Sequence, residues 1–172
     1  MTRLPTDYQF KETNVSNYFK ITEEVQAFRI LTSPIIWYEY FRVDGEGKVK
    51  PVRQREEFKE VPSDSKDGNS PKHFRAFVVW NHNLKKVQIM EITQKTVMKA
   101  IIELTKSEDR ADPKEYDLSI TKTWKGTDTR YSLTPLPKNR FESEEEFNNA
   151  KAEAKAIRLE ALYEGDDPFK PF

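Results

Sequence analysis

The sequence predicts a mainly β fold: a small antiparallel barrel with one helix inserted among the strands and a second helix near the C-terminus. Runs rich in β-branched and aromatic residues alternate with polar, turn-forming stretches, which is typical of short strands. Apolar residues at helical spacing occur in two segments, one after Thr93 and one after Ser143. With 172 residues and 12% aromatic content, the chain can bury a real hydrophobic core.

The strand predictions follow from these runs and from the turns between them. Ser33-Pro34 separates the first two runs. Asp44-Gly45-Glu46-Gly47 forms a turn after the second run, because glycine allows the positive φ that hairpins need. The clearest hairpin follows a flexible loop at 63–72, and a last hairpin turns around 125–128. The predicted strands are 25–32, 34–43, 49–55, 73–80, 86–93, 116–123 and 129–134.

Two helices are predicted from the spacing of apolar residues. Thr93 caps the first, whose apolar face comprises Val97, Ala100, Ile101 and Leu104. Ser143 and Glu146 have the spacing of a capping box at the start of the second, which ends at Gly165. Five to seven strands with one inserted helix favour an OB-fold antiparallel barrel, although strand count alone leaves an SH3-like barrel or an α+β sheet open.

The chain divides into four segments of different composition. An N-terminal arm at 1–24 precedes a nucleic-acid-binding barrel at 25–140, a C-terminal helix at 141–164 and an acidic tail at 165–172 that ends in Pro-Phe. Residues 1–140 contain 25 basic and 20 acidic side chains, whereas 141–172 contain 4 and 9. The barrel is therefore suited to a polyanion, and the tail to competing with one or repelling it.

Composition argues against several classes of function. Cysteine is absent, which excludes disulfides and cysteine-ligated zinc, and the two histidines, His73 and His82, are too few for a histidine-rich metal site. No apolar run approaches the ~20 residues of a membrane span, and no charged-then-apolar leader is present. Nucleotide-binding and hydrolase motifs are also missing. We therefore expect a soluble, cytoplasmic, non-enzymatic binding protein without a cofactor, a metal or a membrane partner.

Three strand regions interleave basic and aromatic side chains. Alternation along 34–42 directs Tyr38, Tyr40 and Arg42 to one side, with Trp37 and Phe41 predicted to face the core. In 73–80 the same rule groups His73, Arg75 and Phe77 on the side opposite Phe74, Ala76, Val78 and Trp80. Aromatic rings stack on any base and cations pair with phosphates, so this repeated pattern favours single-stranded nucleic acid. The predicted contact residues are Tyr38, Tyr40, Arg42, Arg53, Arg55, Lys72, Arg75, Phe77, Lys122, Trp124, Arg130 and Tyr131.

These stretches resemble the single-stranded DNA-binding proteins of tailed bacteriophages over roughly residues 25–135. The most specific parts of the resemblance are Tyr38-Glu39-Tyr40, Ala76-Phe77-Val78-Val79-Trp80-Asn81 and Glu91-Ile92-Thr93-Gln94-Lys95. The resemblance implies an OB fold, non-catalytic binding of single-stranded DNA and a role in phage DNA replication or recombination in the host cytoplasm.

The C-terminal tail resembles the acidic tip of bacterial single-stranded DNA-binding proteins. Asp166 and Asp167 precede Pro171 and Phe172, although Lys170 interrupts the acid-then-Pro-Phe order. The resemblance implies that the tail recruits replication or recombination proteins. Two other functions stay open from the residues: a protein–protein adaptor or inhibitor on the same barrel, and an RNA-binding OB domain. The sequence also leaves homo-oligomerisation open.

Overall fold

The computed structural model describes residues 16–137 and 139–170, apart from the side chain of Lys125. The strands are β1 (Gln26–Ile30), β2 (Ile35–Val43), β3 (Val49–Gln54), β4 (Lys72–Asn81), β5 (Lys86–Ile92), β6 (Asp117–Lys125) and β7 (Asp128–Pro135). The helices are α1 (Lys95–Thr105) and α2 (Glu144–Ala156), and a 3₁₀-helix over Leu159–Glu164 follows α2. The mainly β class, the inserted helix and the C-terminal helix are therefore confirmed.

Strand β4 is the centre of one antiparallel sheet with the order β3-β2-β4-β1-β6-β7. The first half of β4 pairs with β2 and its second half with β1, while β5 pairs along its other edge. Among the described residues β5 and β7 do not pair with each other, so the curved sheet does not close. This order, with α1 between β5 and β6, is consistent with an OB-like barrel.

The inner face of the sheet packs on α1. Val97 and Ile101 of the helix are buried there, as the apolar stripe predicts, although Gln94 rather than Thr93 occupies the N-cap position. Phe19 joins the same cluster, and its backbone N–H donates to Ile89 O, so the last part of the predicted arm is folded against β5. We call this cluster the inner core. Its buried members are Phe19, Phe28, Ile30, Phe77, Val79, Met90, Ile92, Val97, Ile101, Leu118 and Ile120.

The outer face of the sheet is covered by the C-terminal segment. Ser143 caps α2 by accepting a hydrogen bond from Glu146 N at 3.1 Å, as predicted. The predicted continuous helix instead ends at Ala156, because Ile157 is extended, and the chain then forms the 3₁₀-helix. This break lets Leu159 and Leu162 reach the sheet. The outer core contains Trp37, Ala76, Val78, Trp80, Val87, Ile89, Phe141, Ala150, Ala154, Leu159 and Leu162.

A buried ion cluster fixes the start of the C-terminal segment to the sheet. Arg29 Nε and His82 Nε2 each lie 2.8 Å from Asp117 Oδ1, and Arg140 N donates to Asp117 Oδ2 at 2.7 Å. Burial alone would raise the pKa of Asp117, but the hydrogen bonds from His82, Arg140 and Arg29 hold it below its usual 3.8. The carboxylate, on β6, therefore joins β1 and the turn after β4 to the irregular segment that leads into α2.

Candidate nucleic-acid interface

An open groove of about 730 Å³ lies beyond the end of the inner core, between the sheet, α1 and the loop that connects β3 to β4. In the register of β2 and β4, Tyr38 lies opposite His73 and Ile36 lies opposite Arg75. These positions share the inner face with Phe77, because side chains two apart on a strand point to the same side. The groove is lined by Tyr38, Glu57, Phe58, Glu60, Val61, Ser70, Pro71, Lys72, His73, Arg75, Thr93, Lys95, Met98, Lys99 and Ile102.

The floor of the groove contains buried polar atoms without hydrogen-bond partners. His73 Nε2 and Arg75 Nε are both buried and unpaired. The His73 ring stacks on Tyr38, with 4.4 Å between ring centroids and 10° between planes. An unsatisfied buried donor raises the free energy of the folded protein by about 1–3 kcal/mol. A ligand that supplies acceptor atoms at this point would remove this penalty.

The groove walls are mixed in charge, with more cations than acids. Lys72 and Arg75 of β4 line the groove together with Lys95 and Lys99 of α1, while Glu57 and Glu60 of the β3–β4 loop supply the negative charges. Sequence reasoning did not select Lys95, Lys99 or Phe58. The four-residue spacing of the two lysines was the available signal, because it puts both on one face of α1.

Tyr40 and Arg42 continue the inner face of β2 beyond the groove. The Tyr40 hydroxyl donates to Asp64 Oδ1 at 3.1 Å, and its ring meets the edge of Phe58 at a centroid distance of 5.2 Å. Arg42 Nε lies 3.8 Å from Asp64 Oδ2, and both side chains are largely exposed. These contacts hold the β3–β4 loop beside the groove, and Tyr40 and Arg42 share the inner face of β2 with Tyr38.

The β6–β7 hairpin places a second aromatic and basic group on the same side. Trp124 is 57% exposed, and Lys122 Nζ lies 5.1 Å from the centre of its ring. Tyr131 lies opposite Lys122 in the register, and Gln94 Nε2 donates to the Tyr131 hydroxyl at 3.4 Å. Because Gln94 immediately precedes Lys95, this contact joins the hairpin to the groove. Arg130 pairs with Thr123 and projects from the other face.

Three predicted positions are corrected by the structure. Phe77 is 4% exposed in the inner core, so its ring is not available to stack on a base. Strand alternation predicted that one face of β4 is buried and that Phe77 lies on the exposed face. In the structure both faces of β4 are covered, one by α1 and the other by the C-terminal segment. Phe41, expected in the core, is 48% exposed because β2 extends beyond that covering segment. The expected burial of Trp37 is confirmed at 0% exposure.

Arg53, the third corrected position, and Arg55 face the C-terminal segment instead of the groove. Arg53 lies opposite Glu39 in the register, on the outer face; its Nε is 3.3 Å from Glu39 Oε2 and its Nη1 donates to Leu162 O. The Arg55 guanidinium lies 4.4 Å from the ring centre of Tyr163. Arg53 therefore holds the 3₁₀-helix against the β2–β3 hairpin, and it is not one of the residues that can contact nucleic acid in the groove. The side chain of Arg55 is exposed.

The described part of the tail is folded onto the outer face. Pro168 is buried, and Phe169 packs edge-on against Tyr18 with 6.2 Å between ring centroids. Arg158 N donates to Pro168 O at 2.9 Å, while Asp166 and Asp167 are exposed. The predicted partner contacts of Pro171 and Phe172 lie outside the described residues.

Within residues 16–137 and 139–170, no three histidine, aspartate or glutamate side chains are grouped as metal ligands. None of the helices described is long and apolar enough to cross a membrane.

Comparison with known proteins gives one distant relative. The chain is similar to a protein of Escherichia phage T5 described as a probable ssDNA-binding protein, with 26% identity over 171 aligned positions. The match covers 86% of this chain and 66% of the phage protein. No protein-family model matches the chain. No solved structure matches it either.

Proposed function

We propose that this protein binds single-stranded DNA with little sequence preference, without catalysis, along the inner face that carries the groove. The observation that carries the proposal is the combination of unpaired buried nitrogens on His73 and Arg75 with the neighbouring Tyr38 and Phe58 rings in one cationic groove. Phosphates satisfy the nitrogens, and bases pack on the rings. A duplex offers only base edges in its grooves, because its base faces are stacked, so such a surface favours a single strand.

The strand would run from the β2 end of the groove to the β6–β7 hairpin. Tyr38, Tyr40, Tyr131 and Trp124 offer ring surface along this path, and the contact between Gln94 and Tyr131 links the groove to the β6–β7 hairpin. The phosphate partners along the path are Arg42, Lys72, Arg75, Lys95, Lys99 and Lys122. Arg55 and Arg130 lie off this path. They can contact only DNA that continues beyond it.

The similarity to the phage T5 protein supports the same ligand, because the match covers most of this chain. We extend the proposal to a role in phage DNA replication or recombination in the host cytoplasm, where single strands need a coating protein. The similarity to the T5 protein supports only the binding of single-stranded DNA. The role in replication or recombination therefore rests on the proposed binding of single-stranded DNA.

We also propose that the end of the tail recruits a replication or recombination protein. The exposed Asp166 and Asp167 and the nearby Pro171-Phe172 support this, since acids steer a basic partner while an aromatic ring fills an apolar pocket. Removing residues 171–172 alone leaves the packed Pro168 and Phe169 in place. Affinity for single-stranded DNA should be unchanged; a large loss would place the tail in the DNA interface.

A second candidate function is a protein adaptor, which the outer face of the β2–β3 hairpin favours. Phe41, Val43 and Val49 are exposed on that face, with Val43 opposite Val49 in the register. They point away from the groove, so a protein bound there would not compete with DNA. Such an adaptor would bind its partner with little salt dependence, in contrast to a phosphate-binding surface.

Fluorescence anisotropy of a labelled oligo-dT of about thirty nucleotides tests the proposed function, since a single OB fold covers about 4–16 nucleotides. The titration is run at low and moderate salt, with unlabelled duplex and oligo-U of the same length as competitors. We expect tight, salt-sensitive binding that duplex does not compete away. Absence of binding at micromolar protein would refute the proposal, and better competition by oligo-U than by oligo-dT would change the ligand to RNA.

A further inference from the structure

Two positions on β4 form one subsite within the proposed DNA-binding groove. His73 and Arg75 are two residues apart, so their side chains leave the same face of the strand about 6.7 Å from one another. Each carries a buried nitrogen with no hydrogen-bond partner, at the floor of the same groove. No protein acceptor or donor of the described residues meets either nitrogen, so both are left for water or for a bound group.

The chemistry of these nitrogens specifies an anionic acceptor. A guanidinium has only donors, so Arg75 requires acceptor atoms. His73 can become a second donor and a second positive charge when its ring is protonated. Lys72, Lys95 and Lys99 line the same groove, which raises the positive potential there.

We propose that one phosphodiester group of the bound single strand is held between His73 and Arg75, and that His73 takes up a proton from solvent as this group arrives. This proposal rests on the proposed function, because it assigns one subsite within the same groove. The protonated ring donates from Nε2 to a phosphate oxygen, Arg75 donates from Nε to the same group, and no bond is broken. Tyr38 supports the imidazole by stacking on one face of the ring, which leaves the ring edge to donate.

The surroundings of His73 determine the direction of the effect. Burial, followed by the charge of Arg75, lowers the pKa of His73 below its ordinary 6.5, and Glu57 opposes this shift. Without bound DNA the His73 ring is therefore neutral at neutral pH. A phosphate beside the ring adds negative charge and raises the pKa of His73. The charged and titratable groups that face it are Tyr38 on β2, Glu57 and Glu60 on the β3–β4 loop, Lys72 and Arg75 on β4, and Lys95 and Lys99 on α1.

Binding should consequently tighten as pH falls. Affinity of the full-length chain for oligo-dT is measured at constant ionic strength from about pH 8 to about pH 6, across which histidine changes charge. Uptake of one proton limits the fall in Kd to about tenfold per pH unit. In His73→Gln we expect this dependence to disappear, and binding near pH 6 to be weaker than that of wild type.

Two further measurements separate the subsite from a general effect of pH. The sequence has only two histidines, so the NMR signals of the His73 ring are assigned by comparison with His73→Gln, and their titration midpoint should rise when oligo-dT is added. Arg75→Gln should lower the slope of log K against log salt by about 0.7, the contribution of one phosphate contact on a single strand.

The outcomes are distinguishable from failure of the proposed function. If wild type and His73→Gln bind with the same pH dependence, or if the His73 midpoint does not move, the subsite is refuted while DNA binding stands. If wild type does not bind oligo-dT at any pH, the proposed function fails and the subsite with it. His73→Phe keeps a ring against Tyr38 and should behave as His73→Gln does; a pH dependence retained in this variant would also overturn the proposal.

Discussion

The two lysines of α1 that line the groove give a direct test of the proposed interface. Lys95 and Lys99 are exposed, one helical turn apart, and belong to neither core. We predict that the double substitution Lys95→Gln, Lys99→Gln weakens binding of single-stranded DNA and leaves folding unchanged. Each phosphate contact on a single strand contributes about 0.7 to the slope of log K against log salt. Loss of two contacts therefore reduces the magnitude of this slope by about 1.4. At roughly 0.15 M salt this loss weakens binding about 15-fold.

A matched control comes from α2, which covers the opposite face of the sheet. Lys151 and Lys155 have the same spacing and are also exposed, so Lys151→Gln, Lys155→Gln removes the same net charge. Anisotropy titrations over a series of salt concentrations compare the two double variants with wild type, and thermal melts check that both fold. An unchanged slope in the groove variant, or an equal loss in the α2 variant, would refute the assignment of the groove as the phosphate-binding surface.

Three further predictions follow from burial and charge. Phe77→Ala should destabilise the protein by about 3–5 kcal/mol in urea unfolding, because it opens a cavity in the inner core; a change below about 1 kcal/mol would contradict its burial. Glu57→Gln, Glu60→Gln should tighten oligo-dT binding by a few-fold at low salt, with the gain shrinking at high salt; weaker binding would mean that these acids act as acceptors for the DNA. Asp117 has a pKa below its usual 3.8, so its stabilisation is present above that pH and is lost as pH falls through the lowered pKa; in acid unfolding Asp117→Asn should be less stable than wild type near neutral pH, and the difference should shrink below about pH 4. An equal difference at all pH values would assign its effect to shape alone.

The candidate site was only partly predictable from the sequence. Strand alternation selected Tyr38 and Arg75, and Lys72 was added as the cation just outside the same run; all three line the groove. Lys95 and Lys99 were not predicted as site residues. The helical spacing of apolar residues in α1 predicts which face is buried, but it does not predict what lies next to the exposed face. Phe58 was missed for a related reason: it lies in an irregular loop, where no period indicates a direction.

The sequence by itself determined the elements of this protein, because strand alternation, helical spacing and turn residues are local properties of the chain. It thereby identified which side chains share a face, as with Trp37 on one side of β2 and Tyr38 on the other. Only the tertiary structure decided what covers each face. The C-terminal segment and α1 enclose β4 from both sides, which buries Phe77, and the register of β3 on β2 sends Arg53 to Glu39. Periodicity specifies which side chains point together, whereas the partner they meet depends on residues distant in the chain.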